Sequence, residues 1–292
     1  MRQRVVILTR PSAKRALVAR YGSEGQTKFA MAQSVRGKVD FERAVVEDTA
    51  QSRAVTAIRK ALPDDFKLAE IDRGMVAQFL FEPHDLVVAV GQDGLVANVG
   101  KYLEGQPLAG VNPDPATIEG ALLPFTVETF IHALPDLLRD QRPAREVTLA
   151  SALTSDRQTL RGLNDIFVGV PSHQSARYRI THAGRDEMQS SSGLIVSTGT
   201  GSTGWLRSLI GEKAPFDPAA DKLHFVVREA WPGRGFAATL IEGEVTREHP
   251  LIIESRMDGI IFADGIEADP LRFDAGVTAT ITPAEHRVRL VQ

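Results

Sequence analysis

Gly91-Gln92-Asp93-Gly94 sets one carboxylate between residues that lack a Cβ, so the backbone can bend sharply there and a ligand can come close. The apolar run 86–90 ahead of it reads as a strand buried on both faces. Behind it, Leu95, Val99, Tyr102 and Leu103 recur at helical spacing. Asp93 is thus expected at the carboxyl end of a strand and just before a helix N-terminus, where open α/β sheets bind nucleotides. The stretch taken alone reads equally as an ordinary Asp-Gly turn with a solvated aspartate.

A second cluster is Ser197-Thr198-Gly199-Thr200-Gly201-Ser202-Thr203-Gly204-Trp205, which follows the strand-like Leu194-Ile195-Val196 and opens a helix. Glycines and hydroxyls this dense can present backbone N–H groups and Oγ atoms to a phosphate or ribose, and exceed what a capped helix with a flexible lead-in needs. Asn164-Asp165, at the mouth of another strand, pairs an amide with a carboxylate. Such a pair can hydrogen-bond a ribose or nicotinamide, although Asn-Asp is more often a turn.

Other chemistries fall away. No lysine follows the second glycine of the hydroxyl-rich loop, so it is not a Walker loop, and no triple-glycine dinucleotide fingerprint stands behind the first strand. The seven histidines do not fall at metal-ligand spacings, and no metal site built by the protein is assigned. Ser202 has no evident histidine partner for a hydrolase triad. The absence of cysteine excludes disulfides, thiolate catalysis and zinc-thiolate sites. Trp231, beside Pro232, Gly233, Arg234 and Gly235, is expected to pack on its own sheet.

The elements that must position these groups alternate in the first half. A strand at 5–8 leads into a short basic helix at 11–22 and a weakly helical 24–37. A helix at 40–62 follows, its Phe41, Val45, Val55, Ile58 and Leu62 on one core-facing stripe, stopped by Pro63. Strands at 67–71, 86–90 and 108–111, an apolar segment at 75–81, and a helix at 127–138 complete a parallel sheet with right-handed crossovers. Asn112-Pro113-Asp114-Pro115 must be a loop at the carboxyl edge of that sheet. The charged, proline-containing stretch 139–145 is the boundary.

Beyond it, strand-like runs at 147–153, 165–170, 176–181, 194–198, 223–228, 236–241, 251–254, 260–263 and 277–281 alternate with turn residues, and only 203–210 looks helical. The expected fold class is α/β plus all-β: a Rossmann-like α/β domain over 1–142 and a β-rich, sandwich-like domain over 143–276. With 292 residues, size limits neither core. A net charge of -3 gives no electrostatic case for nucleic acid or an anionic membrane as partner. The apolar run at 5–8 is too short for a secretory segment, and a soluble cytoplasmic protein with small-molecule ligands is expected.

In order, the Asp93 turn, Val111-Asn112, Leu163-Asn164-Asp165 and the loop ending in Trp205 resemble the motifs of the NAD kinase family, spread over nearly the whole chain. Val111-Asn112-Pro113-Asp114-Pro115, Ile118-Glu119-Gly120 and Ser192-Gly193 ahead of Thr198-Gly199-Thr200-Gly201-Ser202 resemble the branch that includes the animal mitochondrial enzymes. The segment 258–265 is similar to the late strand of the family that ends in Asp-Gly. Two departures stand at the central turn, where the family has Gly-Gly-Asp-Gly-Thr and this chain has Gln92 and Leu95. Asp165 stands where the family often has glutamate.

The resemblance implies an α/β domain and a β domain that enclose the active site, with 277–292 a terminal strand returning to the first domain. It implies transfer of a phosphoryl group from ATP or another donor to the 2′-hydroxyl of the adenosine ribose of NAD or NADH. Asp93 would be the base, and Gly91 and Gly94 would let phosphate approach, with Mg²⁺ or another divalent cation riding on ATP. Asn164 and Asp165 would hold the acceptor, Thr200, Gly201, Ser202, Thr203 and Trp205 would line the dinucleotide site, and Asn112 would bond near its phosphates or base. A homo-oligomer, dimer or tetramer, is implied as well. The alternatives are an NAD(H)-binding homologue without transfer, and a superfamily kinase with another alcohol acceptor.

Overall fold

The computed structural model describes residues 4–292, with the side chains of 266–268 left aside. The chain divides into two compact units, one holding the chain up to Val99 with Gln106–Ala144 and Leu290–Gln292, the other Gly100–Gly105 with Arg145–Arg289.

The first unit is built from β1 (Arg4–Thr9), α1 (Ala13–Tyr21), α2 (Glu24–Met31), α3 (Val35–Ala61), β2 (Lys67–Asp72), β3 (Asp85–Val90), α4 (Asp93–Gly100), β4 (Pro107–Asn112), β5 (Phe125–Thr126) and α5 (Val127–Leu138). Its strands lie in the order β2-β1-β3-β4, all parallel, with β5 beside β4. The chain leaves β1 for one edge and returns through β3 to the other side of β1, so the topological switch point lies between β1 and β3. β3 and β4 are buried along their whole lengths, and α5 and α3 set Phe130, Leu134, Ala54 and Ile58 against them in one apolar core with Val291. Burial of such side chains contributes roughly 1.5–3 kcal/mol each, which makes the helix faces that supply them non-negotiable. Ser12, Ser23 and Ser34 cap α1, α2 and α3.

α3 carries apolar residues on two faces. Phe41, Ala44, Gln51, Ala54 and Ile58 face inward, whereas Val35, Val39 and Val46 are 85 %, 56 % and 60 % exposed.

The second unit holds β6 (Ala144–Thr154), β7 (Thr159–Gly162), β8 (Asp165–Gly169), β9 (Ala176–His182), β10 (Arg185–Ser191), β11 (Leu194–Ser197), α6 (Trp205–Ile210), β12 (Leu223–Val227), β13 (Glu242–Val245), β14 (Leu251–Ser255), β15 (Gly259–Ala263), β16 (Ile266–Phe273) and β17 (Thr278–Val291). One sheet runs β10-β9-β14-β17, extended by β6 and β7, and the other runs β13-β12-β11-β8-β15-β16. Their facing side chains, among them Tyr178, Ile180 and Ile253 from one and Val168, Val196 and Phe225 from the other, form a single core. On the outer face of the second sheet, α6 covers Phe167, Ile195 and Val226.

Some expectations change. Residues 236–241 are not a strand, because Glu187 takes their donors: its carboxylate accepts the backbone N–H groups of Thr239 and Leu240, and Ala237 donates to the Met188 carbonyl. Trp231 is 67 % exposed, its backbone N–H bonded to the Ser190 carbonyl near the end of β10. The helix behind Asp93 stops at Gly100, short of Tyr102. Among the described residues, strands β5, β7, β10, β13 and β16 escape the hydrophobic pattern, the clearest being β10 with its polar Arg-Asp-Glu-Met-Gln-Ser-Ser run. Among the described residues no helix is long and apolar enough to cross a membrane.

Candidate functional site

In the first unit, β1, β3 and β4 run parallel as neighbours, so Arg10, Gly91 and the Asn112 end of β4 emerge at one edge. Gln51 of α3 closes the switch point there, its Nε2 donating to the carbonyls of Arg10 (3.2 Å) and Val90 (3.4 Å). Asp93 is the first residue of α4, one position further into the helix than its spacing suggested. Its carboxylate does not cap that helix. Oδ2 accepts the backbone N–H of Ala121 at 3.0 Å and Oδ1 that of Leu122 at 2.8 Å.

The loop that supplies these donors is folded by the residues around it. Asn112 donates from Nδ2 to the Ile118 carbonyl (2.9 Å) and accepts the Asp114 N–H at Oδ1 (3.0 Å), so both ends of its amide are engaged within the loop. Gly120 has φ +70°, and a Cβ on it would lie 2.9 Å from Asn112 Nδ2. Gly110 lets the loop lie on β4, since a Cβ there would come within 2.2 Å of the Leu122 carbonyl oxygen. Gly91 and Gly94 are different. Neither has positive φ, so the turn needs no left-handed residue, and a Cβ on Gly94 would meet open space. Leu95 is buried, and its N–H bonds the Gln92 carbonyl at 2.8 Å.

The second unit gathers 163–165, 198–202 and Asp264 in one place. Asp264, just after β15 and at φ +56°, accepts the backbone N–H groups of Leu163 (3.1 Å), Asn164 (2.7 Å) and Asp165 (3.4 Å). Thr198 donates its hydroxyl to the Leu163 carbonyl and accepts the Gly201 N–H at 3.2 Å, while its own N–H bonds the Asn164 carbonyl at 2.9 Å. A Cβ on Gly201 would lie 2.1 Å from the Asn164 carbonyl oxygen, and one on Gly199 2.3 Å from that of Asp217. These glycines seat backbone on backbone. Ser202, wholly buried, donates to the Gly199 carbonyl (2.7 Å) and accepts the Phe216 N–H (3.1 Å).

What this frame leaves open is specific. Among the described residues, the side-chain amide of Asn164 and the carboxyl of Asp165 make no hydrogen bond, and Thr200 Oγ1 is buried without a partner. Buried polar groups are ordinarily paired, and an unpaired one costs free energy unless a ligand or water completes it. Thr203 is exposed. Trp205 stacks on Phe167 (centroids 5.9 Å apart) under Arg228, against the outer face of its own sheet.

Burial, reinforced by the charge of Asp264, pushes the Asp165 carboxyl up to about 7. Burial also raises Asp264, to about 6, with the N–H bonds of Asn164 and Leu163 and the charge of Lys101 restraining it. The ionised form of Asp264 is favoured by three backbone N–H donors and Lys101, whereas Asp165 has burial and a neighbouring carboxylate against it. Lys101, buried, pairs with Asp269 at 3.0 Å, and Tyr102 donates to the same carboxylate. Burial and that carboxylate push the Tyr102 hydroxyl well above its ordinary range. Of these, Asp264 carried a signal, its Asp-Gly pair at the end of a strand, whereas nothing in the spacing of Lys101, Tyr102 and Asp269 marked them. Among the described residues no group of three or more histidines, aspartates or glutamates could hold a metal ion.

No protein-family model matches the chain, and no curated protein matches it. Solved structures do. An NAD kinase from Archaeoglobus fulgidus, in complex with ATP, aligns over 99 % of this chain and 94 % of its own, with a TM-score of 0.62 and 17 % identity. Yeast NADH kinase, complexed with NADH, aligns over 99 % of this chain and 83 % of its own, with a TM-score of 0.63 and 15 % identity. The chain shares their fold, a mixed α/β unit with a separate antiparallel β unit.

Proposed function

We propose that this protein is an NAD kinase, transferring the terminal phosphoryl group of ATP or another phosphoryl donor to the 2′-hydroxyl of the adenosine ribose of NAD or NADH. The observation that carries this is the turn 163–165. Its backbone is fixed by Asp264 and Thr198, while the Asn164 amide, the Asp165 carboxyl and the Thr200 hydroxyl are left to a ligand rich in hydroxyls and amides. The likeness in fold to kinases solved with ATP and with NADH supports the same assignment.

In this reading Asn164 and Asp165 hold the acceptor, and Asp93 accepts the proton of the attacking 2′-hydroxyl. The new O–P bond forms at that oxygen as the bond to the donor's bridging oxygen breaks, and ADP leaves when ATP is the donor. Asp93 suits the task because the Ala121 and Leu122 N–H groups fix its carboxylate without exhausting its lone pairs. The open space over Gly94 accommodates phosphate. A divalent cation would ride on the donor phosphates and neutralise their charge.

Gln92 and Leu95 favour a second reading, an NAD(H)-binding protein without transfer, because a side chain and a buried apolar group stand where the family has glycine and a hydroxyl. One experiment separates the two: NADP(H) formation from NAD and NADH, each crossed against ATP and polyphosphate with Mg²⁺, alongside calorimetric titration of the dinucleotides. Product with any donor establishes the kinase, and binding without product leaves the second reading. Absence of binding removes both.

A further inference from the structure

Lys101, 4 % exposed, follows α4 directly, in the segment Gly100–Gly105 that belongs to the second unit. Its Nζ lies 3.0 and 3.3 Å from the two carboxylate oxygens of Asp269 on β16, which also accept the Tyr102 hydroxyl. The segment lies against the turn 163–165, since a Cβ on Gly100 would stand 3.3 Å from Leu163 Cδ2. A buried ion pair adds little to stability once the desolvation of both charges is counted. This one stands where a second carboxylate feels it. The charge of Lys101 favours the ionised form of Asp264, the group that takes the N–H groups of Leu163, Asn164 and Asp165.

We infer that Lys101 is a positioning residue for the dinucleotide: its ammonium keeps Asp264 in the carboxylate form that fixes the turn, and so sets how far towards acid the turn can bind. The inference rests on reading 163–165 as the acceptor site. As a carboxylate, Asp264 offers only lone pairs to its three N–H partners, whereas the acid puts a hydroxyl donor among them and leaves one of them without an acceptor. The charged and titratable groups that face Asp264 are Asp165 on β8, which repels it, and Lys101, with Asp269 and Tyr102 beyond. Lys101 is the cation among them. Asp165 is shifted by burial and by the charge of Asp264, so loss of the ammonium reaches it through Asp264.

Calorimetric titration with NAD and with NADH between about pH 5 and pH 8.5 tests this. In Lys101→Met the loss of affinity towards acid is expected to begin about one pH unit higher than in the wild type, with binding about three- to tenfold weaker near pH 6 and equal near pH 8.5. Asp269→Asn leaves Lys101 facing one acid instead of two, and should move the loss the opposite way. With Asp264→Asn already in place, Lys101→Met should add no further shift with pH. Amide exchange of the peptide holding 163–165, each variant compared with the wild type at the same pH, should follow the same order with no ligand present. Should Lys101→Met fail to fold, the sign of the shift in Asp269→Asn decides. Exchange profiles that coincide in the wild type and the variants, a shift of the same sign in Asp269→Asn and Lys101→Met, or an effect of Lys101→Met that persists beside Asp264→Asn would overturn the inference. Shifted exchange profiles in a protein that binds neither dinucleotide would remove the acceptor reading and leave the hold of Lys101 on the turn.

Discussion

The carboxylate of Asp264 accepts the backbone N–H of Asn164 at 2.7 Å across a hundred residues of sequence. That bond makes a turn with an ordinary Asn-Asp sequence into a fixed platform, because the same carboxylate also takes the N–H groups on either side. The side chains of the turn are thereby released from backbone duty.

Replacing Asp93 with asparagine is expected to lower phosphoryl transfer about 10²- to 10⁴-fold, the usual worth of a general base. The change also has a structural cost, since the amide nitrogen faces one of the two loop N–H groups and leaves it unpaired. Chemical denaturation should register about 1–3 kcal/mol. A variant that keeps its turnover while losing stability would reduce Asp93 to a loop anchor.

Asp165 gives stability a defined pH dependence. Its carboxyl lies at about 7 when folded, against an ordinary 3.8, so over that window the folded chain binds more protons than the unfolded chain, and stability falls as pH rises. Asp165→Asn is always neutral and should flatten the decline in Tm over that range. Asp264 leaves a residual slope ending near its own value of about 6. Equal slopes in the two proteins would contradict the burial argument.

Thr200→Val keeps the shape of the side chain and deletes a hydroxyl that has no partner in the protein. The apo protein is expected to melt at the same temperature or higher. Calorimetry should show dinucleotide binding weakened roughly three- to tenfold, the value of one hydrogen bond. Unchanged affinity would take Thr200 out of the binding surface.

Placing glycine at 92 and threonine at 95 should divide into separable effects. Gln92 is half-buried beside Asp93, and Gln92→Gly is expected to shift the donor KM or donor preference. Leu95 is 2 % exposed, so Leu95→Thr should cost about 2–5 kcal/mol in the manner of other large-to-small core changes. If transfer appears only in the double variant, the wild type is a binding protein.

Elements with strong apolar signals were legible in the sequence: α5 spans Val127–Leu138, the bounds its pattern indicated, and β3 is buried throughout. Polar strands were not. β10 is recognisable only through its partner β9, which it pairs along its full length. The site was readable where a side chain does the work and opaque where backbone does. Nothing in Ala121 or Leu122 announces that their N–H groups grip Asp93, and Gly201 looked free to face a phosphate although its missing Cβ is what admits the Asn164 carbonyl. Distance in sequence hid Asp264 from Asn164.

β17 runs from Thr278 to Val291, yet Leu290–Gln292 belong to the unit that opens the chain. Val291 is buried in the core of that unit, and the Gln292 N–H bonds the Pro143 carbonyl. During translation the first unit therefore waits, with a gap in its core, until residues 290–292 have left the ribosome, after residues 145–289 of the second unit have emerged.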